Sequence, residues 1–509
     1  MKRRLLIALA VLCTVALPLG CGVEETPEIT TTTTESTTTV ATTTTTDDET
    51  TERTTTTTEE EVTTTTTEEV TTTTASKLVT VTKPKTTTTT AEETTTTAEE
   101  TTTTAEETTT TAEEKTTTSS RRTVSVPSRT TSTTAHTPAV DIEDISHSIH
   151  NNAVNLGKID SEFVRVTEFD PEWAFTHHPA GIVYFKGKYY TAFSRGYTGE
   201  DFPGQHMAMS VSEDFYHWSE PTVIFPATQG TYGETAIIPA GFYTFNGVLI
   251  ANVYITDYQD PSYFNSDGSF NEKGSGKRET KIRQIYSTDG VTWSKPKNIS
   301  SINTLSYPRQ LSNGRWFSCT GKWIHYTDDE VPDGLKKWNW YTMPADMIAN
   351  SQKRNGGKQL TEGSWYEGPD GVIHAMIRSD SGYLFHAASY DGGETLTEFY
   401  PTQFSSDNSQ FNFWNLEDGR AIAIGSPNEN KDIWDMWPLN LYVSLDGYNF
   451  NRVHTLRDEW YTIQKVGYSK GGQYAYMKMM EHDGYLYVFY SRMKEVMEVS
   501  RVKVSDIYG

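Results

Sequence analysis

The stretch Tyr286-Ser-Thr-Asp-Gly-Val-Thr-Trp293 is a strand end followed by a tight turn that closes on a tryptophan. The aspartate carboxylate accepts hydrogen bonds from backbone N–H groups two or three residues further on, glycine tolerates a positive φ, and the aromatic ring covers the turn. One earlier stretch and two later ones share this pattern: Ser212-Glu-Asp-Phe-Tyr-His-Trp218, Ser389-Tyr-Asp-Gly-Gly-Glu-Thr-Leu396 and Ser444-Leu-Asp-Gly-Tyr-Asn-Phe450. A turn repeated at such intervals predicts a β-propeller.

A second repeat indicates the number of blades. A short turn containing glycine leads into an apolar or aromatic strand at six places: Lys186-Gly187, Asn246-Gly247, Asn313-Gly314, Asp370-Gly371, Asp418-Gly419 and Asp483-Gly484. Their spacing of roughly 50–65 residues suits a four-stranded blade with its loops. The predicted fold class is therefore all-β, a six-bladed propeller. A seventh blade is the alternative, either between the last two turns or through pairing of residues 154–166 with residues 498–504.

Length and charge limit the classes of function. The 509 residues carry a formal net charge of −24, and the sequence pI is about 4.9. No basic patch offsets this acidity, so we expect no nucleic-acid partner. The negative net charge does not exclude an acidic sugar as substrate, because a few arginines that converge in a cleft can bind its carboxylate.

The amino terminus has the features of an export signal. The basic tripeptide Lys2-Arg-Arg4 precedes an apolar run over residues 5–17, which is short for a permanent membrane helix. The stretch Leu17-Pro-Leu-Gly-Cys21 resembles a bacterial lipoprotein processing site, in which Cys21 carries the lipid. We expect an extracellular protein on the bacterial cell surface, in contact with the membrane only through this anchor. The alternative is cleavage nearby that leaves Cys21 as a free thiol.

The chain divides into three segments. Residues 22–140 are threonine tracts broken by glutamate pairs and contain almost no large apolar residue. Such a segment cannot offset the entropy lost on ordering, so we expect it to be a disordered linker. It connects the signal peptide, residues 1–21, to a propeller domain over residues 141–509.

Three motifs in the predicted propeller resemble the sialidase-like superfamily. They are the aspartate turns, the unit Glu362-Gly-Ser-Trp-Tyr-Glu-Gly-Pro-Asp-Gly371 with Ile377-Arg-Ser379 after it, and the carboxyl-terminal stretch from Tyr474 to Tyr490. The resemblance implies a glycan-cleaving enzyme with its site at the central mouth. By the same resemblance Arg378 binds a substrate carboxylate, Tyr474 is the nucleophile with Glu362 as its base, and Asp201 is the acid.

The sequence departs from the sialidase pattern at two places. The Arg-Ile-Pro motif that opens a sialidase is absent, and His177-His-Pro-Ala-Gly181 stands in its region. Trp437-Pro-Leu-Asn-Leu441 stands where a later arginine is expected. The loss of two bidentate contacts, each worth about 1.5–3 kcal/mol, would weaken recognition of sialic acid severely.

The same places resemble the ulvan-lyase-like branch of the superfamily, which cleaves uronate polysaccharides by β-elimination. That reaction needs a cation or donor on the carboxylate, a base for the proton α to it and an acid for the leaving oxygen. The residues available for these roles, in addition to those above, are His177, His178, His206, Tyr254, Arg283 and Arg309.

The expected function is cleavage of glycosidic bonds in an acidic, uronate-containing polysaccharide by β-elimination. An exo-sialidase-type hydrolase is the first alternative and a non-catalytic glycan-binding propeller is the second. The only partner expected is the glycan. No metal-ligand spacing of the Cys/His or His-Glu-x-x-His kind is present, so the sequence predicts no cofactor. A structural Ca²⁺ or Zn²⁺ ion is the open alternative, which no motif supports.

Overall fold

The computed structural model describes residues 141–299, 308–328, 338–427 and 435–508. The predicted signal peptide, Cys21 and the threonine-rich linker lie outside the described residues. The described ranges are almost entirely strands and turns, with two short α-helices, α1 (Ile142–Ser148) and α2 (Ala345–Arg354), and 3₁₀ turns at Pro261–Tyr263 and Val504–Asp506. None of these helices has the length and apolar character that a membrane span requires.

The strands of the described ranges form six sheets. Two strands precede the first complete sheet, β1 (Val154–Lys158) and β2 (Glu162–Arg165). The first sheet contains β3 (Phe175–Phe185), β4 (Lys188–Gly196), β5 (His206–Ser212) and β6 (Thr222–Phe225). The second contains β7 (Ala236–Phe245), β8 (Val248–Tyr258), β9 (Arg278–Ser287) and β10 (Lys297–Asn298). The third contains β11 (Arg309–Gln310), β12 (Trp316–Cys319), β13 (Trp323–Thr327) and β14 (Asn339–Thr342).

The remaining sheets follow in the same order along the chain. The fourth contains β15 (Gly363–Glu367), β16 (Ile373–Ile377), β17 (Tyr383–Ser389) and β18 (Tyr400–Ser405). The fifth contains β19 (Asn412–Asn415), β20 (Ala421–Gly425), β21 (Leu439–Ser444) and β22 (Arg452–Arg457), and the sixth contains β23 (Ala475–His482), β24 (Tyr485–Arg492) and β25 (Val496–Lys503).

Both sequence repeats fall at equivalent places in the sheets. Each of the six glycine turns joins the first and second strands of one sheet. The four aspartate turns follow β5, β9, β17 and β21, the third strand of the first, second, fourth and fifth sheets. The predicted all-β, six-bladed propeller is therefore confirmed, because each repeat marks the same position in a blade.

The amino-terminal strands complete the last two blades. The predicted pairing of the chain's two ends is present, since β2 pairs antiparallel with β25 and aligns Arg165 with Glu498. This pairing gives the sixth blade its fourth strand and does not create a seventh blade. The strand β1 pairs in parallel with β22 and is a fifth strand of the fifth blade.

The first strands of neighbouring blades contact one another around the propeller axis. Contacts join β23 to β3, β3 to β7, β15 to β19 and β19 to β23. Apolar side chains fill the spaces between blades, as where the ring of Phe317 meets Trp365 edge to face at 4.8 Å. The ends at which these first strands begin lie together, and they form the mouth of the propeller.

The aspartate turn after β17 leads to a testable prediction about stability. The Asp391 carboxylate accepts the backbone N–H groups of Glu394 and Thr395 at 2.9 and 3.0 Å and the Ser389 hydroxyl at 2.7 Å. Asp391→Ala is expected to lower the free energy of unfolding by about 1 kcal/mol at pH 7, a modest loss because solvent screens an exposed carboxylate. Urea denaturation of both proteins measures the difference.

The pH dependence of that difference is the control. Burial alone would raise the pKa of Asp391, but hydrogen bonds from Thr395 and Ser389 lower it below the ordinary value of 3.8. A lowered pKa in the folded state means that the contribution is complete above pH 3.8 and is lost as the pH falls further. The gap between the two proteins in the free energy of unfolding should therefore stay constant down to about pH 3.8 and narrow as the pH falls further, whereas a gap that does not narrow below about pH 3.8 contradicts the assignment.

Candidate active site

The candidate site lies at the mouth, where first strands of several blades begin. His177 and His178 are near the start of β3, Glu362 directly precedes β15, and Tyr476 is the second residue of β23. Arg378 directly follows β16 and reaches the same place from the second strand of its blade. The site therefore gathers side chains from blades one, four and six.

Tyr476, Glu362 and Arg378 form a connected set. The Tyr476 hydroxyl donates a short hydrogen bond to Glu362 Oε1, and Arg378 Nη1 donates to Glu362 Oε2 at 2.8 Å. Arg378 Nε donates to Asn408 Oδ1 at 3.2 Å, which fixes the guanidinium from its other side. Burial, followed by the negative charge of Glu362, raises the pKa of Tyr476 well above its ordinary value. The phenol is therefore neutral at pH 7, with a carboxylate placed to accept its proton.

A local irregularity in β23 directs Tyr476 to this position. The pairing of β23 with β24 shifts register between Ala475 and Lys478, and Tyr476 has a φ of +58°. A bulged residue breaks the alternation of side chains across a strand and re-aims its own side chain. Tyr476 consequently projects into the mouth.

Two histidines and a glutamate converge on the other side of the mouth. Glu200 Oε1 lies 3.2 Å from His178 Nε2 and 3.7 Å from His177 Nε2, and Lys494 Nζ donates to Glu200 Oε2 at 2.9 Å. Burial alone would raise the pKa of Glu200, but the contacts with His178 and Lys494 lower it to about 2. Of the groups in the described ranges that could hold a metal ion, His177, His178 and Glu200 are the set whose donor atoms lie within 4.8 Å of one another.

Asp201 is next to this cluster and in a different electrostatic state. Its Oδ1 atom lies 3.8 Å from His178 Nε2, and its backbone carbonyl accepts the Tyr258 hydroxyl. Burial raises the pKa of Asp201 above its ordinary value, and the charge of Glu200 adds to the rise. Two neighbouring carboxyl groups with pKa values shifted in opposite directions are suited to different roles, one as a charge and one as a proton donor.

Four of the non-glycine residues with a positive φ lie at the mouth. His178, Asp201, Asn408 and Tyr476 have φ values of +47°, +60°, +40° and +58°. A residue other than glycine costs of order 1–3 kcal/mol in such a conformation, and strained residues cluster where function requires a fixed side-chain direction. These four positions are therefore consistent with a functional site.

A buried lysine lies below the mouth on the axis. Lys478 is 4% exposed, and its burial lowers its pKa to about 8, although the charge of Glu362 acts in the opposite direction. It lines a small cavity together with His178, Tyr476 and Pro239. The floor of the site thus carries a cationic group at neutral pH.

An aromatic cleft adjoins Asp201. Its wall includes Tyr197, Phe202, Tyr232 and Phe270, together with the polar side chains of Gln229 and Glu234. Tyr197 is 42% exposed and Tyr232 is 51% exposed. Exposed aromatic faces beside polar groups are suited to stacking against sugar rings.

The structure brings together five of the predicted side chains, His177, His178, Asp201, Glu362 and Arg378. The other predicted side chains in the described ranges lie outside this set. His206 begins β5, the third strand of its blade, where its ring meets Trp173 at 4.6 Å and burial lowers its pKa to about 4. Tyr254 lies on β8, a second strand, and Arg283 on β9, a third strand, where its Nη1 donates to the Ile282 carbonyl at 3.1 Å.

Arg309 is on a first strand but packs into the protein. Its guanidinium lies 3.9 Å from the ring centre of Trp365 and 4.5 Å from that of Trp414. It also donates to the carbonyl of Trp365 at 2.5 Å. These cation–π contacts stabilise the positive charge of Arg309, so its position does not require a bound substrate.

Tyr474 does not contact Glu362 as predicted. Its hydroxyl donates to the Glu459 carbonyl at 2.8 Å, and the guanidinium of Arg492 lies 4.2 Å from its ring centre. Tyr476 makes the predicted contact in its place, because the bulge and the positive φ turn that residue toward the axis.

The turn glycines of the sequence place Tyr476 near the mouth but do not distinguish it from Tyr474. His178 and Glu362 each precede the turn glycine of their blade, Gly187 and Gly371, by nine residues. Tyr476 precedes Gly484 by eight residues and Tyr474 by ten, so alignment on the turns alone leaves both tyrosines close to the mouth. Glu200, Lys478 and Lys494 were also not predicted, and no local pattern distinguishes them.

A family model matches more than half of the chain. Residues 190–488 match the family model of the BNR repeat-like domain. Among solved structures, the chain is similar to a sialidase, with 18% identity, a TM-score of 0.47, and coverage of 70% of this chain and 34% of that one. It is also similar to a protein of unknown function from Dyadobacter fermentans, with 17% identity, a TM-score of 0.48, and coverage of 67% and 98%.

A third similar structure is the intramolecular trans-sialidase from Ruminococcus gnavus, with 13% identity, a TM-score of 0.45, and coverage of 67% of this chain and 96% of that one. The chain spans about a third of the length of the first sialidase. No curated protein matches the sequence.

The ion pair between Glu362 and Arg378 leads to a prediction about coupling. Both side chains are less than one-fifth exposed, at 15% and 19%. Glu362→Gln and Arg378→Met each leave the other charge without its partner, so the double variant should be more stable than the sum of the single effects by about 1–3 kcal/mol. Chemical denaturation of the four proteins gives the coupling free energy.

The control is the pair of Arg354 and Glu398, which are 2.7 Å apart and 28% and 21% exposed. The same cycle on this more exposed pair should give a coupling of less than about 1 kcal/mol. Equal coupling in the two pairs would show that Glu362 and Arg378 are not coupled more strongly than a surface pair.

Proposed function

The chain belongs to the family of BNR repeat-like domains, the sialidase-like β-propellers, and on that basis we propose that it is a glycoside hydrolase that cleaves carboxylate-bearing sugars from glycans with retention of configuration. One observation carries the proposal. The Tyr476 hydroxyl donates to Glu362, whose second oxygen binds Arg378 at 2.8 Å. A tyrosine paired with a carboxylate at a propeller mouth is suited to nucleophilic attack on an anomeric carbon.

Tyr476 acts as the nucleophile because Glu362 takes its proton during attack. The raised pKa of Tyr476, caused first by burial, means that the phenolate does not exist beforehand at neutral pH. Attack forms the bond between Tyr476 oxygen and the anomeric carbon, breaks the glycosidic bond and transfers the phenol proton to Glu362. Arg378 holds the Glu362 carboxylate in position until then.

Asp201 acts as the acid for the leaving oxygen. Its raised pKa, which follows from burial and from the charge of Glu200, favours the protonated form that the step requires. In the second half of the reaction Asp201 accepts a proton from water, and the water oxygen attacks the anomeric carbon. The bond between the Tyr476 oxygen and that carbon breaks, and the Tyr476 oxygen recovers its proton from Glu362.

The substrate carries a carboxylate near the reacting carbon. Arg378 and the buried Lys478 supply positive charge on the side of Glu362 and Tyr476, and Arg378 is fixed by Glu362 and Asn408 before any substrate arrives. Fixed donors lose little conformational entropy when a carboxylate binds. The aromatic cleft beside Asp201 receives the leaving-group sugar. The acid must lie between this sugar and the sugar whose anomeric carbon reacts, because it protonates the oxygen that joins them.

β-Elimination of a uronate polysaccharide is the second candidate. The observation that favours it is His178, whose imidazole lies at the mouth between Ser194 and Glu200 and is placed as a base. Elimination leaves an unsaturated sugar that absorbs in the ultraviolet, and hydrolysis does not. The two reactions are therefore distinguished by the product.

We propose further that the enzyme works outside the cell. The apolar run over residues 5–17, Cys21 and the threonine-rich residues 22–140 are suited to export, lipid attachment and a long tether. A tethered propeller would meet polymeric glycans too large to enter the cell.

Tyr476→Phe tests the nucleophile, with Tyr474→Phe as its matched control. The first substitution removes the attacking oxygen and should lower kcat/KM by about a thousandfold or more on a fluorogenic α-sialoside or β-glucuronide. The second removes a hydroxyl that binds Glu459 and should change kcat/KM by less than about threefold. Proton NMR of the first-formed product should show retained configuration.

Three results would count against the nucleophile. Equal losses in the two variants would mean that Tyr476 has no special role. Ultraviolet absorbance of an unsaturated product, formed from a uronate polysaccharide by wild type and by Tyr476→Phe alike, would favour elimination. Binding of these glycans without turnover of any would identify a lectin.

Asp201→Asn tests the acid through its dependence on the leaving group. The variant should lose about 10²–10⁴-fold in kcat/KM when the leaving group is a sugar, because that oxygen departs only with a proton. With an activated aryl leaving group the loss should be less than about tenfold. Asp260→Asn, in the neighbouring loop, is the control and should leave both rates unchanged, and equal losses of Asp201→Asn on both substrates would exclude Asp201 as the acid.

A further inference from the structure

We propose that His177, His178 and Glu200 bind one divalent transition-metal ion, Zn²⁺ foremost, through His177 Nε2, His178 Nε2 and Glu200 Oε1. The ion adds positive charge to the mouth and contacts the carboxylate of the substrate. This second role rests on the proposed function, whereas metal binding itself rests only on the geometry of the three side chains.

The donor atoms have the separations that such an ion requires. Glu200 Oε1 is 3.2 Å from His178 Nε2 and 3.7 Å from His177 Nε2, and all three atoms lie within 4.8 Å of one another. Metal–ligand bonds of about 2.0–2.2 Å place neighbouring donors of a tetrahedral Zn²⁺ ion about 3.3 Å apart. Small side-chain movements therefore complete the set.

The hydrogen bonds of Ser194 fix the tautomer of His178. Ser194 Oγ donates its single proton to the His177 carbonyl at 3.0 Å, so it accepts from His178 Nδ1–H at 2.9 Å. His178 Nε2 then carries either a second proton or a lone pair. A lone pair 3.2 Å from the Glu200 oxygen is repelled by it unless a cation lies between the two atoms.

His177 makes protonation alone an incomplete explanation. Its side chain is fully buried, and Nε2 has no hydrogen-bond partner within the described ranges, although it faces Glu200. The two imidazole centres are 4.6 Å apart, so positive charge on both would be repulsive. One divalent ion satisfies both Nε2 atoms and the carboxylate oxygen together.

Hydrogen bonds on the far side of each ligand support the same assignment. His177 Nδ1 lies 2.7 Å from Ser491 Oγ, His178 Nδ1 is bound by Ser194, and Lys494 Nζ binds the second oxygen of Glu200 at 2.9 Å. Partners of this kind orient metal ligands. Lys494 also competes electrostatically with the ion, so the site should bind more tightly when that charge is removed.

Three protein ligands leave a coordination position for water or substrate. A set of two histidines and a glutamate with an open position is typical of catalytic Zn²⁺ sites. The ring of His177 is 4.8 Å from that of Tyr476, so the ion would be adjacent to the proposed nucleophile. A carboxylate between the ion and Arg378 would be neutralised from two sides.

Metal titration of the full chain, purified without a histidine tag and treated with chelator, tests the proposal. Calorimetry with ZnCl₂ should show one tight equivalent, with weaker binding of MnCl₂, and CaCl₂ should not bind because Ca²⁺ prefers oxygen ligands. His178→Ala and Glu200→Gln should each weaken Zn²⁺ binding at least about 100-fold, and Lys494→Met should strengthen it. His206→Ala, a buried histidine outside the cluster, should change the affinity less than about threefold.

Electron paramagnetic resonance of the Cu²⁺-loaded chain provides a second measurement that does not depend on the stability of a variant. The spectrum should show coupling of the Cu²⁺ ion to two imidazole nitrogens. In His177→Gln, coupling to only one imidazole nitrogen should remain. No Zn²⁺ binding, or unchanged binding in His178→Ala and Glu200→Gln, would overturn the site. Full turnover by the chelated protein would overturn its role with substrate and leave the proposed hydrolase intact, whereas tight Zn²⁺ binding with no turnover of any glycan would leave the site and refute the hydrolase.

Discussion

Closure of the ring is the constraint on which the mouth depends. The pairing of β2 with β25 aligns Arg165 with Glu498 and makes the sixth blade complete beside the first. Where the sixth blade meets the first, His177 Nδ1 lies 2.7 Å from Ser491 Oγ and Lys494 binds Glu200. Contacts between these two blades, including those of β3 with β23, thus bring the histidines and Tyr476 into one site.

The fold was predictable because its signals are local. The glycine turns and the aspartate turns each depend on the conformation of a few consecutive residues. The glycine turn occurs in all six blades and the aspartate turn in four of them. Five side chains of the candidate site were also predictable, from motifs that resemble the sialidase-like superfamily. The choice between Tyr474 and Tyr476 was not, because it depends on a bulge that a count of alternating residues cannot detect.

The surroundings of other side chains were not predictable because they depend on contacts between residues distant in sequence. Arg309 looks available in its own stretch, yet it lies between Trp365 and Trp414, which come from two further blades. Glu200 and Lys494 look like ordinary surface charges until blades one and six meet. For such residues the sequence shows which chemical group is present. The contacts of that group are known only once the blades of the propeller are placed next to one another.

The charges around Tyr476 explain why a phenol serves as the proposed reactive group. Glu362 is paired with Arg378, and Glu200 is paired with Lys494, so neither carboxylate is left alone in a poorly solvated site. Their negative charges, together with burial, keep Tyr476 protonated. A phenol buried between two carboxylates cannot ionise spontaneously, but it can pass its proton to Glu362 as a bond to carbon forms. The bulge and the positive φ of Tyr476 turn its hydroxyl toward Glu362, so the proton can pass directly to the carboxylate.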